Sequence, residues 1–156
     1  DRFVIVRGTG GDEADRLGIE RICNQMLAAW KIAQFGNFRV ITDLEFERNS
    51  DSMANFVLVG NPKTNKVWQM LAPRIPLVVN ATEIKSPSKS WQGNDLGLQM
   101  IFRNPDDGSH SVVFIGAANL KYAQFSPQNL SAEGWFDYAI WHTSRGQIGL
   151  LDAGKW

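Results

Sequence analysis

The stretch RFVIVRGTGGDEADRLGIE, residues 2–20, indicates the fold most clearly. Its apolar, β-branched run at 3–7 predicts a buried strand, because strands covered on both faces read as continuous hydrophobic segments. A glycine-dense turn at 8–11 follows, and Asp12 then stands where a helix N-cap is expected, ahead of an acidic first turn. This order of strand, glycine turn and helix start is typical of α/β folds, and it is also how phosphate and dinucleotide sites begin.

The composition indicates an ordinary globular protein without a dominant charge. The 156 residues are 44% hydrophobic and 21% charged, and 16 Lys and Arg balance 16 Asp and Glu. This balance argues against a nucleic-acid partner, and no apolar run approaches the roughly 20 residues that span a bilayer. The single cysteine, Cys23, is expected to be a small core residue. One cysteine cannot form an internal disulfide, and we expect no cysteine-based metal site. We expect no cofactor.

Hydrophobic periodicity predicts the remaining elements of the first half. Apolar residues recur at spacings of three and four from Ile19 to Ala33, which predicts one long helix ending at Gly36-Asn37. The other predicted elements are strands at 38–42, 56–60 and 76–79 and a helix at 64–72 capped by Thr64. Right-handed crossovers would place strand one beside strand three, with strands two and four outside them.

The second half predicts antiparallel additions. Its expected elements are a hairpin of 81–85 with 89–93 around Ser86-Pro87-Ser88, strands at 98–105 and 110–118 joined by Asp106-Asp107-Gly108, a last strand at 135–141 and a tail at 147–156. We therefore expect a single α/β domain, 1–156, that is a fragment of a longer chain. Its fold would be a Rossmann- or flavodoxin-like three-layer sandwich, with a mixed sheet whose antiparallel strands come from the second half.

The loops after strands one and three are the candidate ligand site, because they flank the expected topological switch point. The candidate residues are Gly8, Thr9, Gly10, Gly11, Asn61, Lys63, Thr64 and Asn65. Gly8 and Gly10 fit the dinucleotide fingerprint, but Glu13 occupies the third glycine's place and no Gly-Lys-Ser/Thr sequence follows. Asp43, just past strand two, is a possible acceptor for a ribose hydroxyl. The alternative interpretation is a pair of tight turns followed by capped helices. The departures from the dinucleotide and P-loop motifs favour this alternative.

Catalytic patterns are weak. The two histidines, His110 and His142, lie in no zinc-binding spacing, and no Gly-x-Ser-x-Gly elbow occurs. A dispersed triad of Ser111 or Ser144 with one histidine is the remaining catalytic interpretation, and surface positions explain the same residues more simply. Whether the chain is itself an enzyme stays open, and we predict neither catalytic nor metal-binding residues.

Several short motifs run through nearly the whole chain. They are Gly8, Thr9 and Gly11; Trp30; Gly60 with Thr64-Asn65; Asn104-Pro105; Asp137-Tyr138; and Gly149 to Trp156. Together they resemble an accessory α/β domain of large bacterial secreted esterase- or prolyl-oligopeptidase-like hydrolases. Two segments depart from the family pattern: IGAA at 115–118 replaces a Ser-Gly, and the ending GLLDAGKW is looser.

The resemblance implies a partner and a location. The partner is another domain of the same polypeptide, an α/β-hydrolase domain that carries the nucleophile, and the location is extracytoplasmic, secreted or periplasmic. The expected function is a non-catalytic accessory or interaction domain that packs through an apolar, tryptophan-bearing face. The alternative is an α/β domain that binds a small anion or a nucleotide with the loops after strands one and three.

Overall fold

The computed structural model describes residues 3–32, 38–47, 54–125, 136–143 and 149–156. Its elements are β1 (Phe3–Arg7), α1 (Glu13–Ile32), β2 (Arg39–Thr42), β3 (Asn55–Gly60), α2 (Lys66–Leu71), β4 (Val78–Asn80), β5 (Glu83–Lys85), β6 (Ser90–Gln92), β7 (Leu96–Arg103), β8 (Ser111–Ala117), β9 (Tyr138–His142) and β10 (Gly149–Gly154). Short 3₁₀ turns occupy Ala72–Arg74 and Leu120–Tyr122.

The main sheet has the strand order β10-β9-β7-β8-β3-β1-β2. Strands β2, β1, β3 and β8 are parallel, whereas β7 and β9 pair antiparallel to their neighbours and β10 pairs antiparallel to β9. The predicted neighbours are confirmed, since β1 lies between β3 and β2. The chain is a mixed α/β fold whose antiparallel strands come from the second half, as predicted.

The prediction that strand four lies beside strand three is wrong. Strand β4 belongs to a separate antiparallel sheet of order β4-β5-β6, and β8 takes the place beside β3. The burial of the two strands explains the difference. β4 has three residues of which only the middle one is buried, whereas β8 is buried without interruption from Phe114 to Ala117 and suits a central position.

The two faces of the parallel strands pack against different elements. One buried cluster joins Ile5, Val57, Val59 and Ile115 to Ile19, Ile22 and Met26 of α1. The other joins Val4, Val6, Phe56 and Leu58 to Trp68 and Leu71 of α2 and to Ile84 and Trp91 of the small sheet. Cys23 lies in the first cluster, and burial raises its pKa to about 11. It is a core residue, as predicted.

The end of the chain forms a strand where a tail was predicted. β10 pairs with β9 from Gly149 opposite His142 to Gly154 opposite Tyr138, with a bulge between Leu150 and Asp152. The bulge interrupts the period-two pattern that would mark a strand in the sequence, which is why the prediction failed. The predicted end of α1 at 36–37, and Trp135 and Ser144, lie outside the described residues.

Candidate functional site

The glycine loops after β1 and β3 lie side by side at the carboxyl edge of the sheet, as predicted. The Gly10 N–H donates to the Thr64 carbonyl at 2.8 Å, and the Gly8 N–H donates to the Val59 carbonyl at 3.0 Å. A Cβ atom at Gly8 would lie 2.5 Å from the Thr64 carbonyl oxygen. The loops therefore approach too closely for a side chain at this position, and the glycine serves their mutual packing.

The loop after β3 is closed by its own side chains. The buried Asn61 carboxamide oxygen accepts from the N–H groups of Lys63 and Thr64, both at 3.1 Å, and its NH₂ group donates to the Ala117 carbonyl at 3.1 Å. The Thr64 hydroxyl oxygen in turn accepts from the Asn61 N–H at 3.1 Å. Asn61 thereby ties the end of β3 to the end of β8.

Asn65 is the N-cap of α2, so the prediction of Thr64 is wrong by one residue. The Asn65 carboxamide oxygen accepts from Val67 N–H at 3.0 Å and from Trp68 N–H at 3.1 Å. Its NH₂ group donates to the carbonyls of Val6 at 3.0 Å and Val59 at 3.1 Å. Thr and Asn are both good N-caps, and only the strand contacts distinguish them here.

The start of α1 is occupied by its own carboxylates. The Asp15 N–H donates to the Asp12 carboxylate at 3.0 Å and the Asp12 N–H donates to the Asp15 carboxylate at 3.1 Å, a reciprocal capping arrangement. The predicted cap Asp12 is confirmed, and the backbone hydrogen bond from Asp15 lowers its pKa. Gly11, at φ +89°, makes the turn. Lys63, the predicted anion-binding cation, lies with its Nζ 3.2 Å from the Asp15 carboxylate.

Asp43 joins the loop after β1 to the start of α2. Its carboxylate accepts from the Thr9 hydroxyl at 2.7 Å and from the Lys66 N–H at 2.8 Å, and the residue is buried. Both carboxylate oxygens are thus engaged inside the protein. The predicted site residues come together at this edge of the sheet in one group, most of whose members are joined by hydrogen bonds. We call this group the loop cluster: Gly8, Thr9, Gly10, Gly11, Asp43, Asn61, Lys63, Thr64 and Asn65.

Each histidine has an aspartate partner among the described residues. His142 Nδ1 lies 3.1 Å from both carboxylate oxygens of Asp95, and His110 Nδ1 lies 2.6 Å from an Asp107 oxygen. The His110 contact lowers the pKa of Asp107. The Ser111 N–H bonds to Asn55 at 2.8 Å, and no serine hydroxyl contacts either imidazole in the described part of the chain. Within the same ranges, no group of three metal-ligating side chains occurs.

A crevice of about 190 Å³ lies between the end of β1 and the first half of α1. Its lining consists of Arg7, Gly8, Thr9, Arg16, Ile19 and Glu20. We call it the Arg7 crevice. Sequence reasoning missed it because its walls are brought together by the packing of α1 on the sheet. The available signal was a charged residue, Arg7, closing an otherwise apolar strand.

Comparison with known proteins gives no family assignment. The chain matches no protein-family model, and no curated protein is significantly similar to it. Neither described helix has the length and apolar character required to cross a lipid bilayer.

Proposed function

We propose that this chain is a non-catalytic accessory domain of a larger esterase- or peptidase-like hydrolase, and that it binds the catalytic domain of the same polypeptide. The observation that carries the proposal is the apolar surface of the last segment, β10 with Trp156. Leu150 and Leu151 are 45% and 44% exposed, and Trp156 is 47% exposed. Large apolar side chains grouped on an exposed strand are typical of protein-contact surfaces.

The position of β10 adds a second mode of contact. It is the outermost strand of the main sheet, and among the described residues only β9 pairs with it. The outer edge of such a strand presents backbone N–H and C=O groups to a further strand, which is a recurrent way for one protein segment to join another. The Trp156 ring meanwhile packs on Tyr138, with ring centroids 4.9 Å apart, so this segment is held in place.

The loop cluster supports a non-catalytic role. Its polar side chains bond to one another and to the strand ends, which accounts for these residue types without a substrate. Each imidazole is paired with a carboxylate, and in the part of the chain that the structure describes no serine or cysteine side chain hydrogen-bonds to either of them. A parent serine hydrolase, secreted or periplasmic, would then supply its nucleophile from another domain.

We also propose that the fold is a Rossmann- or flavodoxin-like three-layer sandwich. The support is that α1 and α2 pack on opposite faces of the parallel strands, through the two buried clusters described above. The adjacency of β1 and β3, with β2 outside β1, follows the right-handed crossovers of that class.

The test begins with the full reading frame that encodes this chain, in which we expect an α/β-hydrolase domain. Isothermal titration of the chain with that domain should show saturable binding. Leu150→Lys combined with Leu151→Lys should weaken the Kd at least tenfold, because both substitutions place charge in an apolar contact. The matched control is Val40→Lys on the opposite edge strand β2, where Val40 is 41% exposed. Equal Kd values for the two variants, or a reading frame without a hydrolase domain, would contradict the proposal.

A further inference from the structure

We propose that Glu45 closes the outer edge of β2 and thereby prevents this strand from pairing with a strand of a second copy of the chain. This inference is independent of the proposed accessory function, since it concerns the opposite edge of the main sheet from β10. β2 is the outermost strand on its side, and among the described residues only β1 pairs with it. An exposed edge strand is a template for further pairing unless its backbone groups are blocked.

The direction of the backbone groups in β2 follows from one hydrogen bond. The Asp43 N–H donates to the Arg7 carbonyl at the end of β1, at 2.9 Å. Successive residues of a strand direct their N–H and C=O groups to alternate sides. Ile41 therefore faces β1 as Asp43 does, whereas Val40 and Thr42 direct their backbone groups away from the sheet. These groups of Val40 and Thr42 are the outer edge of β2.

Glu45 engages both outward-facing backbone groups of Thr42. The Thr42 N–H donates to a Glu45 carboxylate oxygen at 2.8 Å, and the Glu45 N–H donates to the Thr42 carbonyl at 3.1 Å. The Thr42 hydroxyl donates to the same carboxylate oxygen at 2.8 Å, which holds the Glu45 side chain beside the strand. An incoming strand would have to break these hydrogen bonds before it could pair with Thr42.

The charge of Glu45 is a second obstacle to pairing. The hydrogen bonds from the Thr42 N–H and hydroxyl lower the pKa of Glu45, and the charges of Arg7 and Arg39 lower it further, so the carboxylate is ionised at neutral pH. A strand that covered this carboxylate would remove a charged group from water, which is costly. Charged side chains protect the edges of many natural sheets in this way.

The apolar side chains near this edge are the reason that it needs protection. Val40 is 41% exposed and Leu44 is 62% exposed, and Leu44 lies within the turn that Glu45 closes. Valine is also among the residues that favour strands. An edge strand with exposed apolar side chains and free backbone groups is a typical site of aggregation. Removal of the Glu45 carboxylate should therefore allow two copies of the chain to associate through β2.

The experiment is sedimentation velocity over a concentration series of the purified chain. Glu45→Ala should associate with itself roughly tenfold more tightly or more than the wild type does, because the Thr42 N–H is freed and the charge is lost. Glu45→Gln keeps an acceptor for that N–H and should associate less than Glu45→Ala. Adding Val40→Lys to Glu45→Ala should restore the behaviour of the wild type, because it returns a charge to the same edge.

The matched control is Glu20→Ala, which removes one exposed carboxylate from α1 and should leave the sedimentation of the chain unchanged. Circular dichroism spectra that match the wild type establish that each variant is folded. Three results would each overturn the proposal: no gain of association in Glu45→Ala, association that persists when Val40→Lys is added, or an equal gain in Glu20→Ala.

Discussion

In the loop cluster, the carboxamides of buried Asn61 and Asn65 hydrogen-bond to carbonyls at the ends of the surrounding strands. At the other edge of the sheet, β10 instead exposes two leucine side chains to solvent. The sequence features of the first region are those that commonly mark a ligand site: glycines, a lysine and polar residues before a helix. In this protein their hydrogen bonds are internal. The second region has no such motif, yet it exposes the apolar surface that a partner would cover.

This contrast teaches that glycine turns can be demanded by packing alone. At Gly8 the space for a side chain is filled by the Thr64 backbone, whereas no atom of the described residues lies within 4 Å of a Cβ atom at Gly149 in β10. Substitutions in the loop cluster should therefore lower the free energy of unfolding. Substitutions in β10 should instead weaken binding to a partner.

The largest expected effect is that of Asn65→Ala. The substitution leaves two helix N–H groups at the start of α2 without their acceptor, in a fully buried site, and it removes one donor from each of the Val6 and Val59 carbonyls. Because each buried unsatisfied group costs about 1–3 kcal/mol, we expect a loss of roughly 3 kcal/mol or more in the free energy of unfolding, measured by urea denaturation.

The matched control for that substitution is Asn119→Ala. Asn119 is also an N-cap, but it is half-buried and accepts one hydrogen bond, from Lys121 N–H at 3.0 Å. Its removal should cost about 1 kcal/mol or less. Equal losses of unfolding free energy at the two positions would show that Asn65 acts as an ordinary helix cap. The hydrogen bonds from Asn65 to the strands would then add nothing to stability.

The next effect concerns the glycines themselves. Gly8→Ala places a methyl group against the Thr64 carbonyl and should cost about 1–3 kcal/mol of unfolding free energy, as overpacking does. The methyl group of Gly149→Ala meets no atom of the described residues and should change that free energy by about 0.5 kcal/mol or less. Thermal denaturation followed by circular dichroism compares the two variants, and a Gly8→Ala protein as stable as wild type would refute the close-packing account of this loop.

The smallest expected effect is a change in pH dependence on Asp12→Asn. The folded pKa of Asp12 lies below its ordinary value of 3.8, so its charge stabilises the fold above that pH and the contribution disappears as the pH falls through the lowered pKa. Asparagine caps a helix as well as aspartate does but does not titrate. The stability lost between pH 6 and pH 3 in urea titrations should therefore be smaller in the variant. An identical loss in both proteins would mean that Asp12 contributes nothing through its charge.

The parts that sequence reasoning predicted are those with long, regular patterns. β1, β3 and α1 follow from buried β-branched runs and one continuous apolar stripe, and crossover handedness then placed β1 beside β3. The failures lie where tertiary contacts decide between equal local signals. Thr64 and Asn65 have similar capping propensity, and the bulge in β10 hides its alternation. The Arg7 crevice depends on where α1 packs, which no local pattern specifies.

Hydrogen–deuterium exchange of this chain, measured alone and within the longer polypeptide that we propose, tests the central claim most directly. The account predicts slower exchange in the full-length protein at residues 149–156, because the partner domain covers β10 and Trp156, with unchanged exchange at 8–11 and 61–65. Unchanged exchange along β10 together with slower exchange in the two loops would contradict it, and would return the loop cluster to the role of a binding site.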